Sequence, residues 1–393
     1  MKYIFLVGDG MQDLPLADLG ERTPLEVAKI PNMDYIAKNG KVGWVRTIPP
    51  SLPPGSDIAI MSLLGYNPKE FYTGRGPLEA VNLGIDLKEN EVAFRCNLVT
   101  VEDGIMVDYS AGHISSQEAK VLIDFLNEKL STEYIHFYPG VSYRHIMVAK
   151  DIGEDLLCTP PHDIMGKRID KFLPKGKDRE IIMELMESSQ KILKNHEINQ
   201  VRIDLKENPA NMIWLWGQGK RPNLPKFFEK YKLKGNVISA VDLIKGLGKI
   251  IGLEPLYVEG ATGYYDTNYL GKAKEALKAL EEKDFVFIHV EAPDEAGHNG
   301  DLREKISVIE KIDFFILGTI LKEMKDKDFR ILVSSDHPTP LSLRTHTALP
   351  VFFAMYGKGV EKDGVEKFNE RSAQESDWRI EEGYKLMDYF IKE

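Results

Sequence analysis

At 393 residues, with 43% hydrophobic and 28% charged, the chain has the composition of a soluble globular protein and exceeds what one hydrophobic core commonly supports, so two domains are expected. A balance of 51 Lys and Arg against 61 Asp and Glu leaves a net charge of −10, which argues against nucleic acid or an anionic membrane as the main partner. Cys96 and Cys158 are the only cysteines and fit no metal-binding spacing, which excludes a disulfide framework and suits a reducing compartment.

Taken in chain order, "YIFLVGDG" (3–10) reads as a buried strand whose apolar run stops at Gly8. Five apolar residues are too few for a signal-peptide core or a membrane span, so a cytoplasmic setting is expected. From about Glu91 to Asn211 the strands look shorter and more polar: "VAFRCNLVTVE" (92–102), "GIMVDY" (104–109), "YIHFYPG" (134–140) and "YRHIMVAKD" (143–151), with helices over 116–130 and 178–196. Beyond lie a helix at 271–283, the strand "FVFIHVEAPD" (285–294), and a helix at 303–326 with Ile306, Ile309, Ile312, Ile316 and Ile320 at helical spacing. "FRILVSSDH" (329–337) and "VFFAMYG" (351–357) complete the set. Unbroken apolar runs are what parallel strands covered on both faces look like. The expected fold is α/β: a mostly parallel sheet between helices, built from 1–90 and 211–393, with a smaller α+β domain inserted at 91–210. No internal repeat or low-complexity tract is apparent.

In open α/β sheets, function gathers past the carboxyl ends of strands. Those positions hold Asp9, Asp294 and the adjacent pair Asp336 and His337. His298 follows Asp294 by four residues, the spacing that puts two side chains on one side of a helical turn. His346 precedes the strand at 351–357. Taken singly, each has an ordinary alternative: a helix cap, a turn, or solvated surface. Their common placement at strand ends does not, and three Asp with three His form a mixed oxygen and nitrogen set for Mn, Zn, Co or Fe(II). Six ligands exceed what one catalytic ion with an open position needs but suit two ions about 4 Å apart.

"VGDGMQDLP", "TPLEVAKIPNMDYIAKNG", "PPGSDIAIMSLLGYNP", "YTGRGPLEA", "HVEAPDEAGHNGD" and "SSDHPTP" are similar to motifs of the alkaline phosphatase superfamily and, within it, of the archaeal-type 2,3-bisphosphoglycerate-independent phosphoglycerate mutases. The resemblance spans the chain to about residue 350 and implies an alkaline-phosphatase-like sheet. It also implies that Asp9, Ser56, Asp336 and His337 hold one divalent ion and that Asp294, His298 and His346 hold the other, with manganese first and zinc or cobalt as alternatives. No 2,3-bisphosphoglycerate is implied. The resemblance further implies that Ser56 is the nucleophile that carries phosphate between the 3- and 2-positions of glycerate, in glycolysis and gluconeogenesis. "VDYSAGHIS" is closer to a bacterial branch that includes proposed homoserine kinases, so the runner-up is a metal-dependent phosphomonoester hydrolase or a homoserine kinase-like phosphotransferase. A kinase, however, would want a phosphate-cradling loop such as G-x-x-x-x-G-K-[ST], and the chain has none.

A mutase must hold glycerate away from water between the two transfers, which calls for groups that grip its carboxylate. Candidates are Arg144 and His145 in "SYRHI" and His162 in "PPHDIMGKR"; for the substrate phosphate they are Arg75, whose flanking glycines let the backbone approach it, and Lys220 and Arg221 in "GQGKRPNLP". Arginine is favoured because its fork is bidentate. The partner is thus a small phosphorylated substrate rather than a nucleic acid or a membrane; the residues do not specify an oligomeric state.

Overall fold

A computed structural model describes residues 1–153 and 155–392. In chain order its strands are β1 (Lys2–Gly8), β2 (Lys41–Val45), β3 (Glu91–Glu102), β4 (Ile105–Asp108), β5 (Ile135–Val141), β6 (Arg144–Lys150), β7 (Leu156–Leu157), β8 (Lys175–Gly176), β9 (Met212–Gly219), β10 (Gly235–Ile238), β11 (Glu254–Pro255), β12 (Phe285–Val290), β13 (Phe329–Ser334), β14 (Val351–Gly357) and β15 (Arg379–Ile380). They fall into two units, Met1–Tyr72 with Leu224–Glu393, and Thr73–Asn223.

The first unit is built on an eight-stranded sheet of order β11-β10-β12-β1-β13-β14-β2-β15. β1 lies between β12 and β13, parallel to both, with Leu6 opposite Ile288 and Val333. Strand alternation sends Ile4, Leu6, Val286, Ile288, Ile331 and Val333 into one layer with the helices Pro31–Asn39 and Tyr269–Glu282. Phe5 and Phe287 point the other way and meet each other at 5.3 Å, and Phe5 meets Phe390 of the C-terminal helix Leu386–Lys392. Both faces are therefore covered, as the apolar runs require. β14 departs from the rest: it is antiparallel to β13 and to β2. Its composition reports burial on both faces and not direction, so the run "VFFAMYG" could not distinguish the two.

The helix expected at 303–326 forms as Leu302–Lys311, a π-helical stretch Ile312–Leu317, and Gly318–Met324. Ile309, Ile312, Ile316 and Ile320 are fully buried, while Ile306 lies at the margin. Among the described residues, no helix is long and apolar enough to cross a membrane.

The second unit carries an antiparallel sheet of order β4-β3-β6-β5, with β9 also paired to β3. Val92, Phe94, Cys96 and Leu98 of β3 pack with the helices Ser116–Leu130 and Arg179–Leu193. Ala93, Ile146 and Val148 face a smaller cluster that includes Ala80 of the helix Arg75–Asn82. The seams differ from the expected ones: residues 73–90 and 211–223 belong with this unit. The reason is the packing of the helix Arg75–Asn82 on β3 and β9. A Cβ on Gly74 (φ 144°) would fall 2.1 Å from the Gln218 carbonyl, and one on Gly76 2.4 Å from that of Ala93. The glycines flanking Arg75 thus serve helix-to-sheet approach within this unit.

Candidate metal centre

The Asp and His residues of the centre are delivered at strand ends. Asp9 follows β1, the pair Asp336 and His337 follows β13, and Asp294 follows β12 on the helix Ala292–Asn299, which sets Asp294 and His298 one turn apart. Because β14 runs antiparallel to β13, its start lies at the carboxyl edge of its neighbour, which brings His346 to the same place. Gly10 makes the convergence possible: its φ is 59°, and a Cβ there would fall 2.6 Å from Asp294 Oδ1 and from Thr339 Oγ1. Ser56 is the first residue of the helix Ser56–Leu63, where unpaired backbone N–H groups favour negative charge.

The distances define two adjoining groups. In the first, Ser56 Oγ lies 3.2 Å from His337 Nε2 and 3.4 Å from Asp9 Oδ2. His337 Nε2 is 3.3 Å from Asp336 Oδ2 and 3.6 Å from Asp9 Oδ1. In the second, His298 Nε2 is 3.2 Å from Asp294 Oδ2, His346 Nε2 is 3.5 Å from Asp294 Oδ1, and the two imidazole nitrogens stand 2.9 Å apart. The ligand atoms of Asp9, Asp336 and His337 lie within 4.8 Å of one another, as do those of Asp294, His337 and His346.

The hydrogen bonds leave the right lone pairs facing inward. Asp336 Oδ1 accepts from the N–H groups of Gly10 (3.2 Å) and His337 (2.8 Å), while its Oδ2 and Asp9 Oδ1 are buried without a hydrogen-bond partner. His298 Nδ1 donates to the Arg344 carbonyl at 3.0 Å, so in the neutral ring Nε2 keeps its lone pair. Thr339 Oγ1 donates to Asp294 Oδ1 and accepts from His337 Nδ1 at 3.3 Å, which leaves His337 Nε2 as a lone pair too.

Electrostatics points the same way. Burial, and then Asp336, Glu291 and Asp294, push the Asp9 carboxyl well above its ordinary range. Burial and Asp294 take Glu291 up to about 8, and burial takes His337 down to about 4. At Asp294 burial is outweighed by His346 and His298, which hold its carboxyl well below the usual value; Asp294 in turn overcomes burial to raise His298 to about 9 and to raise His346. Buried carboxylates crowded this closely need compensating positive charge, and divalent cations supply it. The donor set, the orphaned oxygens and the oriented imidazoles fit divalent metal ions.

Two residues of this neighbourhood escaped sequence reasoning. His289, inside β12, is fully buried with Nε2 2.9 Å from Asp9 Oδ2, and Glu291 lies 3.8 Å from the same nitrogen. The available signal was a histidine interrupting the apolar strand "FVFIHV".

The remaining candidates lie in the second unit. Trp216 has the Arg95 guanidinium over its ring at 4.7 Å, Arg75 at 5.9 Å, and the His162 ring at 5.4 Å. Arg144 stacks on Tyr143, which meets Tyr109, which in turn meets His162. Glu79 lies 3.0 Å from Arg75 and 3.2 Å from Arg95; burial opposes its ionisation, but Arg95 and Arg75 hold its carboxyl below the ordinary value. Arg95, a charge in the middle of an apolar strand, was another missed signal. His145 is interior: its Nδ1 accepts from Gly140 N–H at 3.0 Å, and burial lowers it to about 3, so it is neutral at physiological pH. Arg221 pairs with Asp86 on the surface, and Lys220 lines a pocket of about 150 Å³ with Asp151, Asp155 and Asp178. A larger cavity of about 770 Å³ in the first unit, between Gln12, Trp44, Pro338 and Glu370, touches none of the ligand residues.

A family model described as 2,3-bisphosphoglycerate-independent phosphoglycerate mutase matches residues 37–199. Curated relatives bearing that name include one from Methanosarcina mazei, 52% identical over the whole of both chains; a protein of Geobacter sulfurreducens given as a probable member is 48% identical, again over the whole of both. Among solved structures, a protein from Pyrococcus horikoshii aligns with TM-score 0.83 and 33% identity over 99% of this chain and 96% of its own. A cofactor-independent phosphoglycerate mutase from Thermoplasma acidophilum aligns with TM-score 0.66 and 31% identity over 100% and 99%.

Proposed function

Because the chain belongs to the 2,3-bisphosphoglycerate-independent phosphoglycerate mutases and interconverts 3-phosphoglycerate and 2-phosphoglycerate, we propose that it does so through a phosphoserine formed on Ser56. One observation carries this reading: the Ser56 hydroxyl sits at a helix N-terminus, 3.2 Å from His337 Nε2 and 3.4 Å from Asp9 Oδ2, inside a group of buried carboxylates and imidazoles. An unassisted serine is a weak nucleophile near neutral pH, and no His–Asp relay of the serine-hydrolase kind is needed here.

In this reading Asp9, Ser56, Asp336 and His337 hold one divalent ion, manganese first, and Asp294, His298 and His346 hold a second. When bound, the ions lower the hydroxyl pKa and offset the charge that builds on the phosphoryl oxygens. Ser56 Oγ gives up its proton and forms a bond to phosphorus as the bond to the 3-oxygen of glycerate breaks, and that oxygen takes up a proton, so none is gained or lost overall. Glycerate is retained and turned. Its 2-hydroxyl then attacks the phosphoserine and loses its proton as the bond from phosphorus to Ser56 Oγ breaks, and Oγ takes up a proton to restore the hydroxyl. Arg75, Arg144 and His162 are assigned to the substrate carboxylate, with the buried Arg95 packed behind them on Trp216. His145, being buried and neutral, supports that cluster from within the sheet. A small phosphorylated substrate and a cytoplasmic setting belong to the same proposal.

The test is an enolase-coupled assay with Mn²⁺, run beside phosphate release and metal analysis. Ser56→Ala is expected to lose at least about 10³-fold in kcat while retaining the ions held by the other ligands. A variant that keeps its activity removes Ser56 from the chemistry, and free phosphate from wild-type protein in place of 2-phosphoglycerate removes the mutase reading.

A further inference from the structure

His289, Asp9 and Glu291 place ligand-type atoms within 4.8 Å of one another, so on distance alone they make a third cation group beside the two already described. The hydrogen bonds decide otherwise. Val241 N–H donates to Ser239 Oγ at 3.0 Å, and that hydroxyl, 3.2 Å from His289 Nδ1, has its own proton to offer the ring. With Nδ1 accepting, the neutral ring carries its proton on Nε2, and Nε2 faces Asp9 Oδ2 at 2.9 Å, far closer than the 3.8 Å to Glu291 Oε2. With the ion bound Asp9 is ionised and its oxygen can only accept there, so the Asp9 side sets the tautomer and the Ser239 hydroxyl matches it. His289 has no lone pair left for a metal.

We propose that His289 is a positioning residue: through the chain Val241 N–H to Ser239 to His289 to Asp9, it holds Asp9 Oδ2 and turns the orphaned Oδ1 toward the ion shared with Asp336 and His337. The chain crosses the carboxyl ends of three adjacent strands, β10, β12 and β1, in the order in which the sheet pairs them. Its members are buried: Ser239 is 5% exposed, and His289 and Asp9 are fully enclosed. Lys272, also fully buried, donates to the His289 carbonyl at 2.9 Å and steadies the backbone that carries the ring. A hydrogen bond of this kind fixes a metal-binding carboxylate in one rotamer and favours its ionised, ligating form. The inference rests on the reading of Asp9 as a metal ligand.

The experiment measures Mn²⁺ dissociation constants by electron paramagnetic resonance of the full-length protein, with bound metal counted by mass spectrometry. His289→Leu, similar in bulk and without a donor, is expected to weaken the Asp9 ion 10- to 100-fold. His289→Gln, whose amide N–H reaches the place of Nε2, is expected to stay within about threefold of wild type. Ser239→Ala, the mildest change and the variant to rely on if His289→Leu does not fold, is expected to fall between them. Two bound ions in wild type support the assignment, and a third ion lost with His289 overturns it. Unchanged affinity in both His289→Leu and Ser239→Ala, or a His289→Gln protein that folds yet binds as weakly as His289→Leu, also overturns it. Asp9→Asn separates this from the reading beneath it: full metal binding there overturns Asp9 as a ligand, whereas loss there with His289→Leu unaffected overturns only the positioning role.

Discussion

At the scale of single residues, the site is held by ion pairs and caps whose partners are hundreds of positions apart. Lys305 and Asp13 have fully buried side chains and meet at 2.6 Å across 292 residues of sequence, and Lys305 Nζ also donates to the Thr339 carbonyl at 2.7 Å. Thr339 in turn donates to Asp294 and accepts from His337, so this one ammonium ties the loop after β1 to the loop after β13. Lys305→Met leaves the Asp13 charge enclosed without a counter-ion and is expected to destabilise the first unit by about 3–5 kcal/mol, with Asp13→Asn in the same background recovering part of the loss. Urea denaturation of the single and double variants checks this, and a loss of about 1 kcal/mol or less would put the pair on a level with surface ion pairs. Neither residue announces its partner locally, because a charge that is buried only by a distant loop looks in sequence like any solvated one.

At the scale of elements, the short helix Glu370–Ala373 is fastened to the N-terminal loops by one carboxyl. Glu370 Oε1 accepts from Asp13 N–H at 3.1 Å, and Oε2 lies 2.6 Å from Thr23 Oγ1, itself the cap of the helix Pro24–Val27. Burial pushes Glu370 up to about 7 from its ordinary 4.5. The folded state therefore prefers the protonated form, and the stability linked to this group is full below pH 4.5 and lost as pH rises through 7. Glu370→Gln reproduces the protonated form and is expected to remove that slope, leaving the variant more stable than wild type above pH 7 by roughly 2 kcal/mol after allowance for partial exposure. Melting curves from pH 5 to 8 decide it; parallel curves for the two proteins reject the account. The elements themselves were legible because periodicity reports burial: the apolar runs of β1, β12, β13 and β14, and the helices Ser116–Leu130 and Tyr269–Glu282, stand where patterning placed them. The direction of β14 was not legible, nor was the packing that draws the helix Arg75–Asn82 into the second unit, since both depend on what lies alongside.

At the scale of the molecule, all seven expected metal-centre residues belong to the first unit, while the Arg75, Arg95, Arg144 and His162 cluster belongs to the second. Removal of divalent ions with EDTA is therefore expected to lower the unfolding temperature of the first unit only, by the equivalent of about 3 kcal/mol where the ion stood near one hundred times its dissociation constant. Scanning calorimetry of the full chain, with and without Mn²⁺, reads this as one transition moving and one staying; two transitions that move together contradict it. Sequence alone determined the α/β class and pointed to an inserted α+β segment and to Asp and His residues at strand ends, because composition and periodicity record how each residue meets solvent and its own backbone. Tertiary structure alone decided that an antiparallel β14 carries His346 to that edge, that His289 spends both nitrogens orienting Asp9, that Arg95 and Arg75 share Glu79, and where the units divide. Those outcomes depend on distances between groups far apart in the chain, and local patterning carries no record of them.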